Sequence, residues 1–344
     1  MEKFKPGISV DIGTANIVTT RQTEDGTFVN KYHRNMLYPL DVTDESKDLL
    51  DRSNYLYIKT DDKYYVIGDD ALNLVNAIGK GKIVRPMQNG LLNPDLKESS
   101  QLLLYIIKAI VGSPIVENEP IRFTCPANPI DKDADNLFHQ MIITNFLNKE
   151  GFVAKPINEA TCLIYDNSPI MKSEGGDVPL TGIAVSFGAG MANICLALKG
   201  LSLVEFSCTK SGDNIDEQVE KVTGIARNKI IKIKEKLLDL NNTDMSDRVQ
   251  AALSIYYDET IERIVHNMGK KFKDINSEMD GEIEIIVAGG TSMPKGFINR
   301  FEAVIKKSSF PFKVYRIRHS DSPFYSVSQG ACLRAMSDYQ KIKK

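Results

Sequence analysis

At 344 residues, with 42% hydrophobic and 26% charged residues, the chain is long enough for two ordinary domains, each with its own core. A net charge of −2 gives no electrostatic footing for nucleic acid or for an anionic membrane surface. Five scattered cysteines without a CxxC and four isolated histidines argue against a disulfide framework and a zinc site, and no run of about 18 apolar residues offers a membrane span.

Met1 to Gly7 has no apolar signal core, so a soluble cytoplasmic protein is expected. The first clear element is the strand Ile8 to Ile12, which passes through Asp11 into a turn at Gly13, then Thr14, Ala15 and Asn16. Such a turn can aim peptide N–H groups and a hydroxyl at phosphate oxygens while the carboxylate orders a hydrated Mg²⁺. It can equally be the DxG turn of a plain hairpin. Ile17 to Gln22 reads as the hairpin partner, Glu24-Asp25-Gly26 as a turn, and Thr27 to His33 as a third strand. Residues 35–52 read as polar and irregular. Short strands at Tyr55 to Ile58 and Tyr64 to Ile67, with a helix from Gly68 to Ala77, complete a small module over about 36–84.

Asn93-Pro94 predicts a helix start, with Leu96, Leu103, Ile106, Ile107 and Ile110 on its apolar face until Gly112. After a strand from Ile121 to Cys125 comes a loop ending at Asp131. A second amphipathic helix follows, with Ala134, Leu137, Phe138, Met141, Ile142 and Phe146 inward. Asp131 therefore lies at a strand-to-helix junction, where α/β proteins place catalytic groups, and it can also cap the helix. Phe152 to Pro156 reads as a strand, Glu159 to Tyr165 as a short helix, and Ser168 to Leu180 as a flexible connection.

The opening pattern then recurs. GIAVSFGAGMAN from Gly182 shares G-I-x-V-x-x-G with GISVDIGTAN from Gly7, and a second β-branched strand follows each. Two such hairpins, one per half, predict a duplicated α/β fold with a nucleotide between the halves. Gly188-Ala189-Gly190 is not a dinucleotide fingerprint, because Asn193 takes the third glycine position and a strand follows; no P-loop sequence occurs either. In this register Ser186 falls opposite Asp11. Gly212 to Asp216 starts a long helical stretch with Ile215, Val219, Val222, Ile230, Ile233 and Leu237 inward and a break at Gly224; Met245 to Phe272 is another helix. The strand Glu282 to Ala288 ends in Gly289-Gly290-Thr291-Ser292 ahead of a helix from Pro294 to Ile305. That junction suits either close approach of an anionic ligand or a simple tight turn. Val314 to Ile317 is a short strand, and Ser328 to Tyr339 a last helix with Gly330-Ala331 as a contact face.

These motifs together resemble the prokaryotic actin-like ATPases of the MreB and MamK type, within the actin superfamily. The resemblance rests on DIGTAN at Asp11 to Asn16, VRPMQNG at Val84 to Gly90, VSFGAGMAN at Val185 to Asn193, IKEKL around Lys234-Glu235, and VAGGTSMP at Val287 to Pro294. Asn158-Glu159-Ala160 and Ser328 to Ala331 resemble the two interdomain connecting helices. The resemblance implies a ribonuclease H-like, two-lobed fold around a central cleft, each lobe with a smaller subdomain. Its lobes would be 1–157 (small subdomain about 36–84) and 158–324 (small subdomain about 214–280), with 325–344 returning to the first lobe. It implies ATP or ADP with Mg²⁺ as ligands. Gly13, Thr14, Ala15 and Asn16 would grip the phosphates from one side and Gly188, Ala189 and Gly190 from the other. Asp11 would hold the metal through water, and Glu159 would help order its water shell. Asp131 stands where the family has a Glu or Gln that orients the attacking water. Gly289, Gly290 and Thr291 would hold the nucleoside, with Lys234 and Glu235 on its far side.

One position departs from the family: Ser186 stands where an aspartate beside Mg²⁺ is usual. A serine orders water but adds no negative charge, which implies weaker metal binding and slow hydrolysis. The function implied is a cytoskeletal ATPase that self-associates into filaments, with adaptor proteins as possible partners. The alternatives are an ATP-binding scaffold with negligible turnover and a metabolite kinase of the same superfamily. Met1 to Gly7 is too short and too charged for a membrane-binding amphipathic helix, so direct membrane binding is not expected.

Overall fold

The structure, a computed structural model, describes residues 3–78, 82–133, 136–166, 171–173, 176–273, 275 and 281–342. The chain begins with the antiparallel meander β1 (Ile8–Ile12), β2 (Asn16–Gln22) and β3 (Phe28–Arg34). Then come β4 (Leu37–Asp41), α1 (Asp44–Ser53), β5 (Tyr57–Lys59), β6 (Lys63–Ile67) and α2 (Gly68–Ile78), in which the three strands form a separate small sheet. Residues 35–52 are thus regular, against expectation. Thr43 caps α1 through its hydroxyl, which accepts from Ser46 N, and Asp44 and Glu45 fill the first turn. Only Leu50 of this helix is buried, so the apolar periodicity that would announce it is missing.

A short pair, β7 (Met87–Gln88) and β8 (Leu91–Leu92), leads to α3 (Ser99–Val111). This helix starts later than Asn93-Pro94 suggested. Asn93 Oδ1 instead accepts from Asp95 N at 3.0 Å, and its carbonyl accepts from Leu96 N, making a local turn. Next are β9 (Glu119–Cys125), α4 (Leu137–Lys149), β10 (Phe152–Asn158) and α5 (Glu159–Asp166). The buried face of α4 is His139, Ile143 and Leu147, whereas Leu137, Phe138 and Met141 are exposed. Apolar residues circle this helix, so spacing alone does not select a face; Ala134 lies outside the described residues. Asp131 lies too far before Leu137 to cap α4, whose cap position is Asn136.

Of the stretch 168–180, the described parts pair as β11 (Met171–Ser173) with β12 (Gly176–Val178). The second half repeats the opening: β13 (Gly182–Phe187), β14 (Met191–Leu198) and β15 (Leu201–Thr209), then α6 (Gly212–Thr223), α7 (Arg227–Lys236) and α8 (Arg248–Phe272). Gly224, at φ 72°, ends α6 where a break was expected. Val222 and Leu237 are exposed rather than inward, because each sits where its helix ends and the phase is lost; Leu238 takes the core position instead. β16 (Glu282–Ala288), α9 (Phe297–Lys307), β17 (Lys313–His319) and α10 (Ser326–Ile342) complete the chain.

The two main sheets share one topology. Their orders are β10-β9-β1-β2-β3 and β15-β14-β13-β16-β17. In each, the first strand is central, its hairpin partner and the third strand lie antiparallel on one side, and two later strands lie parallel on the other. The duplication expected from the repeated glycine pattern is therefore a duplication of the whole sheet. Each sheet has its own apolar core, and a third cluster around Ala160, Leu163, Ala184, Ile286 and Ala331 joins them. At this junction α10 meets α5 so closely that a Cβ on Gly330 would lie 1.9 Å from the Cys162 carbonyl oxygen. Ser328 also holds α10 to β1, through hydrogen bonds with Ser9.

Candidate functional site

Between the two sheets lies a cleft with a volume of about 900 Å³. Its walls begin at two matched turns. Gly13 N donates to the Asn16 carbonyl at 3.0 Å, and Gly188 N donates to the Met191 carbonyl at 2.9 Å. The same backbone bond, at the same point of the repeat, closes both hairpins. The turns are packed against one another: a Cβ on Gly190 would come within 2.4 Å of Thr14 Oγ1 and 2.5 Å of Gly90 N. Thr14 Oγ1 accepts from Gly90 N at 2.9 Å, which uses the end of the VRPMQNG segment to fix the first loop.

Arg85 extends this arrangement across the cleft. Its guanidinium donates to the Thr14 carbonyl at 3.0 Å and pairs with Asp213 of α6 at 3.0 Å. The VRPMQNG segment is thus a tie between loop one and the second lobe. A third loop follows β16. Gly289, at φ 93°, passes so close to β13 that a Cβ would lie 2.4 Å from the Phe187 carbonyl oxygen. Thr291 Oγ1 then donates to the Gly188 carbonyl at 2.8 Å, joining the third loop to the second.

Asp11 and Glu159 face the floor of the cleft from the end of β1 and the start of α5. Thr124 Oγ1 accepts from Ile12 N and donates to Asp11 Oδ1 at 2.6 Å. Burial raises the Asp11 carboxyl to about 6, with the Thr124 bond opposing the shift. Burial, and then the charge of Asp11, raise Glu159 to about 8, against hydrogen bonds from Asn193 and Ser186. The Ser186 hydroxyl lies 3.5 Å from Glu159 Oε2. Two half-buried carboxyl groups that resist ionisation together suit a cation, which would favour their charged forms. Among the described residues no group of three or more His, Cys, Asp or Glu is placed to hold a metal ion.

At the other end, Lys234 Nζ pairs with Asp216 Oδ2 at 2.7 Å and reaches the Gly212 carbonyl at 3.3 Å. Asp216 Oδ1 is buried without a partner among the described residues. Every candidate residue read from the sequence lines the cleft except Asp131. The Asp131 carboxylate instead accepts from Thr209 N at 2.9 Å and pairs with Arg263 of α8. Its loop runs along β15: Ser207 N donates to the Asn128 carbonyl, and Ile130 N to the Ser207 carbonyl.

Sequence reasoning did not single out Arg34, Tyr32 and Phe324, which also line the cleft. Arg34 spans its mouth, bonded to Asp69 and to Glu235, and Tyr32 meets Phe324 edge-on at 5.6 Å. Asn228 of α7 donates to Asn76 of α2 across the same opening. Nothing in the local sequence marks an arginine at a strand end as a bridge.

The family described as Volactin matches residues 7–335. No curated protein matches. Among solved structures, MreB5 of Spiroplasma citri bound to AMPPNP is similar at TM-score 0.68 and 15% identity, covering 98% of each chain. The same protein bound to ADP is similar at 0.66 and 15%, covering 99% of each. The MamK double helical filament is similar at 0.65 and 18%, covering 96% of this chain and 98% of that one. At these identities the likeness establishes the fold: this chain has the actin-like fold of MreB and MamK.

Proposed function

The chain belongs to the Volactin family, and from that premise we propose that it is an actin-like cytoskeletal protein that binds ATP with Mg²⁺ in its cleft, polymerises, and hydrolyses the nucleotide slowly. The observation that carries this reading is the pair of matched glycine turns facing one cavity, with Asp11 and Glu159 half-buried in its lining. Backbone N–H groups at Thr14 to Asn16 and at Ala189 and Gly190 would receive phosphate oxygens, while those of Gly13 and Gly188 close the two turns on the Asn16 and Met191 carbonyls. Gly289, Gly290 and Thr291 would take the nucleoside, with Lys234 and Glu235 opposite. Asp11 would hold the metal through water, and Glu159 would order the surrounding water shell. Bound Mg²⁺ supplies neutralisation of phosphate charge. MreB5 is bound to ADP or AMPPNP and MamK forms a double helical filament, which favours nucleotide binding and self-association here.

Slow turnover follows from two features. Ser186 adds no charge beside Glu159, and the Asp131 carboxylate is engaged with Thr209 and Arg263. To orient an attacking water, Asp131 would first have to leave Arg263. These features also favour the second reading, an ATP-binding scaffold with negligible hydrolysis. No helix among the described residues is long and apolar enough to cross a membrane, and a cytoplasmic location is part of the proposal. Sedimentation with and without ATP, with phosphate release measured on the same samples, tests both readings. ATP-dependent pelleting is expected; its absence across salt and Mg²⁺ conditions overturns the filament reading. Phosphate release at the buffer rate within pelleting polymer selects the scaffold.

A further inference from the structure

Two surfaces far from the cleft carry opposite charge. Residues 41–51, covering the end of β4 and most of α1, hold five carboxylates and one lysine; residues 306–318 hold five cations and no carboxylate. On α1, Lys47 and Arg52 pair within the helix with Asp51 and Asp48, which leaves Asp44 and Glu45 at its exposed start without an ion-pair partner among the described residues. On the other surface Lys306 pairs with Glu302, and Arg316 and Arg318 pair with Glu284, which leaves Lys307 and Lys313 without an ion-pair partner among the described residues. Between α9 and β17 runs a groove of about 240 Å³ lined by Phe310, Ile317 and the buried Phe312, together with Glu302, Lys306 and Arg316. β17 is the outermost strand of its sheet. The acidic surface carries its own apolar residues, Val42 and Leu49, both partly exposed beside Asp44, Glu45 and Asp48.

We propose that these surfaces are the two halves of one self-docking contact, in which the α1 face of one copy seats on the α9–β17 groove of a second copy. The occupant is a second copy because the chain itself carries unpaired charge of opposite sign on the two surfaces, Asp44 and Glu45 on one and Lys307 and Lys313 on the other. An apolar centre with a charged rim is the ordinary anatomy of a protein interface, and opposed potentials fix its register. The two surfaces differ, one in the first lobe's small sheet and one at the outer edge of the second. The contact is therefore heterologous, and a heterologous contact that does not close into a ring repeats as a filament. This inference rests on the proposed self-association and names the surfaces that carry it.

Charge reversal separates it from that reading. Asp44→Lys with Glu45→Lys, and separately Lys307→Glu with Lys313→Glu, are each expected to raise the critical concentration for ATP-dependent pelleting more than about tenfold, since like charges would face each other. Nucleotide affinity should stay near wild type, because none of the four residues lines the cleft; Asp44→Lys with Glu45→Lys should lower the melting temperature slightly, since both carboxylates favour the first turn of α1. Mixing the two variants is the decisive arm: each then offers the other an opposite surface, and an alternating copolymer should pellet. The pairing is overturned if either variant alone pellets like wild type, or if both fail and the mixture stays soluble, as would follow were each surface meant for some other protein. Wild type that never pellets with ATP overturns the filament reading itself.

Discussion

Arg34 at the end of β3 and Glu235 near the end of α7 meet across the mouth of the cleft, with guanidinium-to-carboxylate distances of 3.0 and 3.3 Å. The pair belongs to opposite lobes, and Asp69 holds the arginine from its own side at 2.8 Å. A nucleotide lying beneath would have to wait for this bridge to open. Because the pair is partly exposed, its contribution is modest, on the order of 0.2–1 kcal/mol. Arg34→Ala should therefore speed dissociation of a fluorescent ADP about two- to fivefold in stopped flow, with higher salt narrowing the difference from wild type.

Gly190 is where the two phosphate-type turns abut. Gly190→Ala would drive a methyl into Thr14 Oγ1 and the Gly90 backbone, so the loops must separate. We expect nucleotide affinity to fall at least about tenfold by titration, as positioning is lost. Gly269 in α8 makes a fair control: a Cβ there meets nothing within 4 Å. Gly269→Ala should leave binding unchanged and raise stability by about 0.5–1 kcal/mol through helix propensity.

The carboxyl pair of Asp11 and Glu159 makes the free protein sensitive to pH. Glu159 is raised from 4.5 to about 8, so between those values the folded state holds a proton that the unfolded chain has released. Its stabilising effect is complete below about 4.5 and is lost as pH rises through about 8. Asp11, raised to about 6, acts in the same direction over a lower window. Without ligand, the melting temperature should decline between pH 6 and pH 8.5 on the order of several degrees. Glu159→Gln should flatten the decline, and Mg²⁺ with ADP should flatten it in the wild type.

Ser186 and Asp11 are predicted to be unequal. Asp11→Ala should cost more Mg²⁺-nucleotide affinity than Ser186→Ala, since only the aspartate carries charge. Ser186→Asp should quicken phosphate release. It should also lower the melting temperature of the free protein, because a third carboxylate would then stand beside Glu159, whose Oε2 is 3.5 Å from the present hydroxyl. A variant that hydrolyses no faster would remove Ser186 as the cause of slow turnover.

What the sequence made legible was whatever it wrote twice or wrote locally. The hairpins at Gly13 and Gly188 each declare a turn through a glycine and a following small residue, and their repetition disclosed the matched sheets. The third loop was readable because paired glycines end an apolar strand. Features set by distant partners were not readable. Asp131 sits at a strand-to-helix junction, which invites either a cap or a catalytic role, yet Thr209 and Arg263 claim its carboxylate from 78 and 132 residues away. The inward face of α4 failed for a related reason: apolar residues surround the helix, and only packing against its neighbours selects His139, Ile143 and Leu147. α1 escaped notice because its cap residues look like any polar loop when a single leucine is buried.

The two lobes are held together at more than one place. One crossing is the contact of α5 with α10, where Gly330 touches the Cys162 backbone; another is the strip in which Asn128 and Ile130 bond to Ser207 on β15. Two bodies joined at a single point can swivel in any direction, but two bodies joined along a line can only swing about it, as a door does on paired hinges. A swing of one lobe about that line would open or shut the side where Arg34 meets Glu235, and would break the Arg85–Asp213 tie as it opened. An occupant of the cleft would then set the angle, and the angle would carry to the outer surfaces of the molecule.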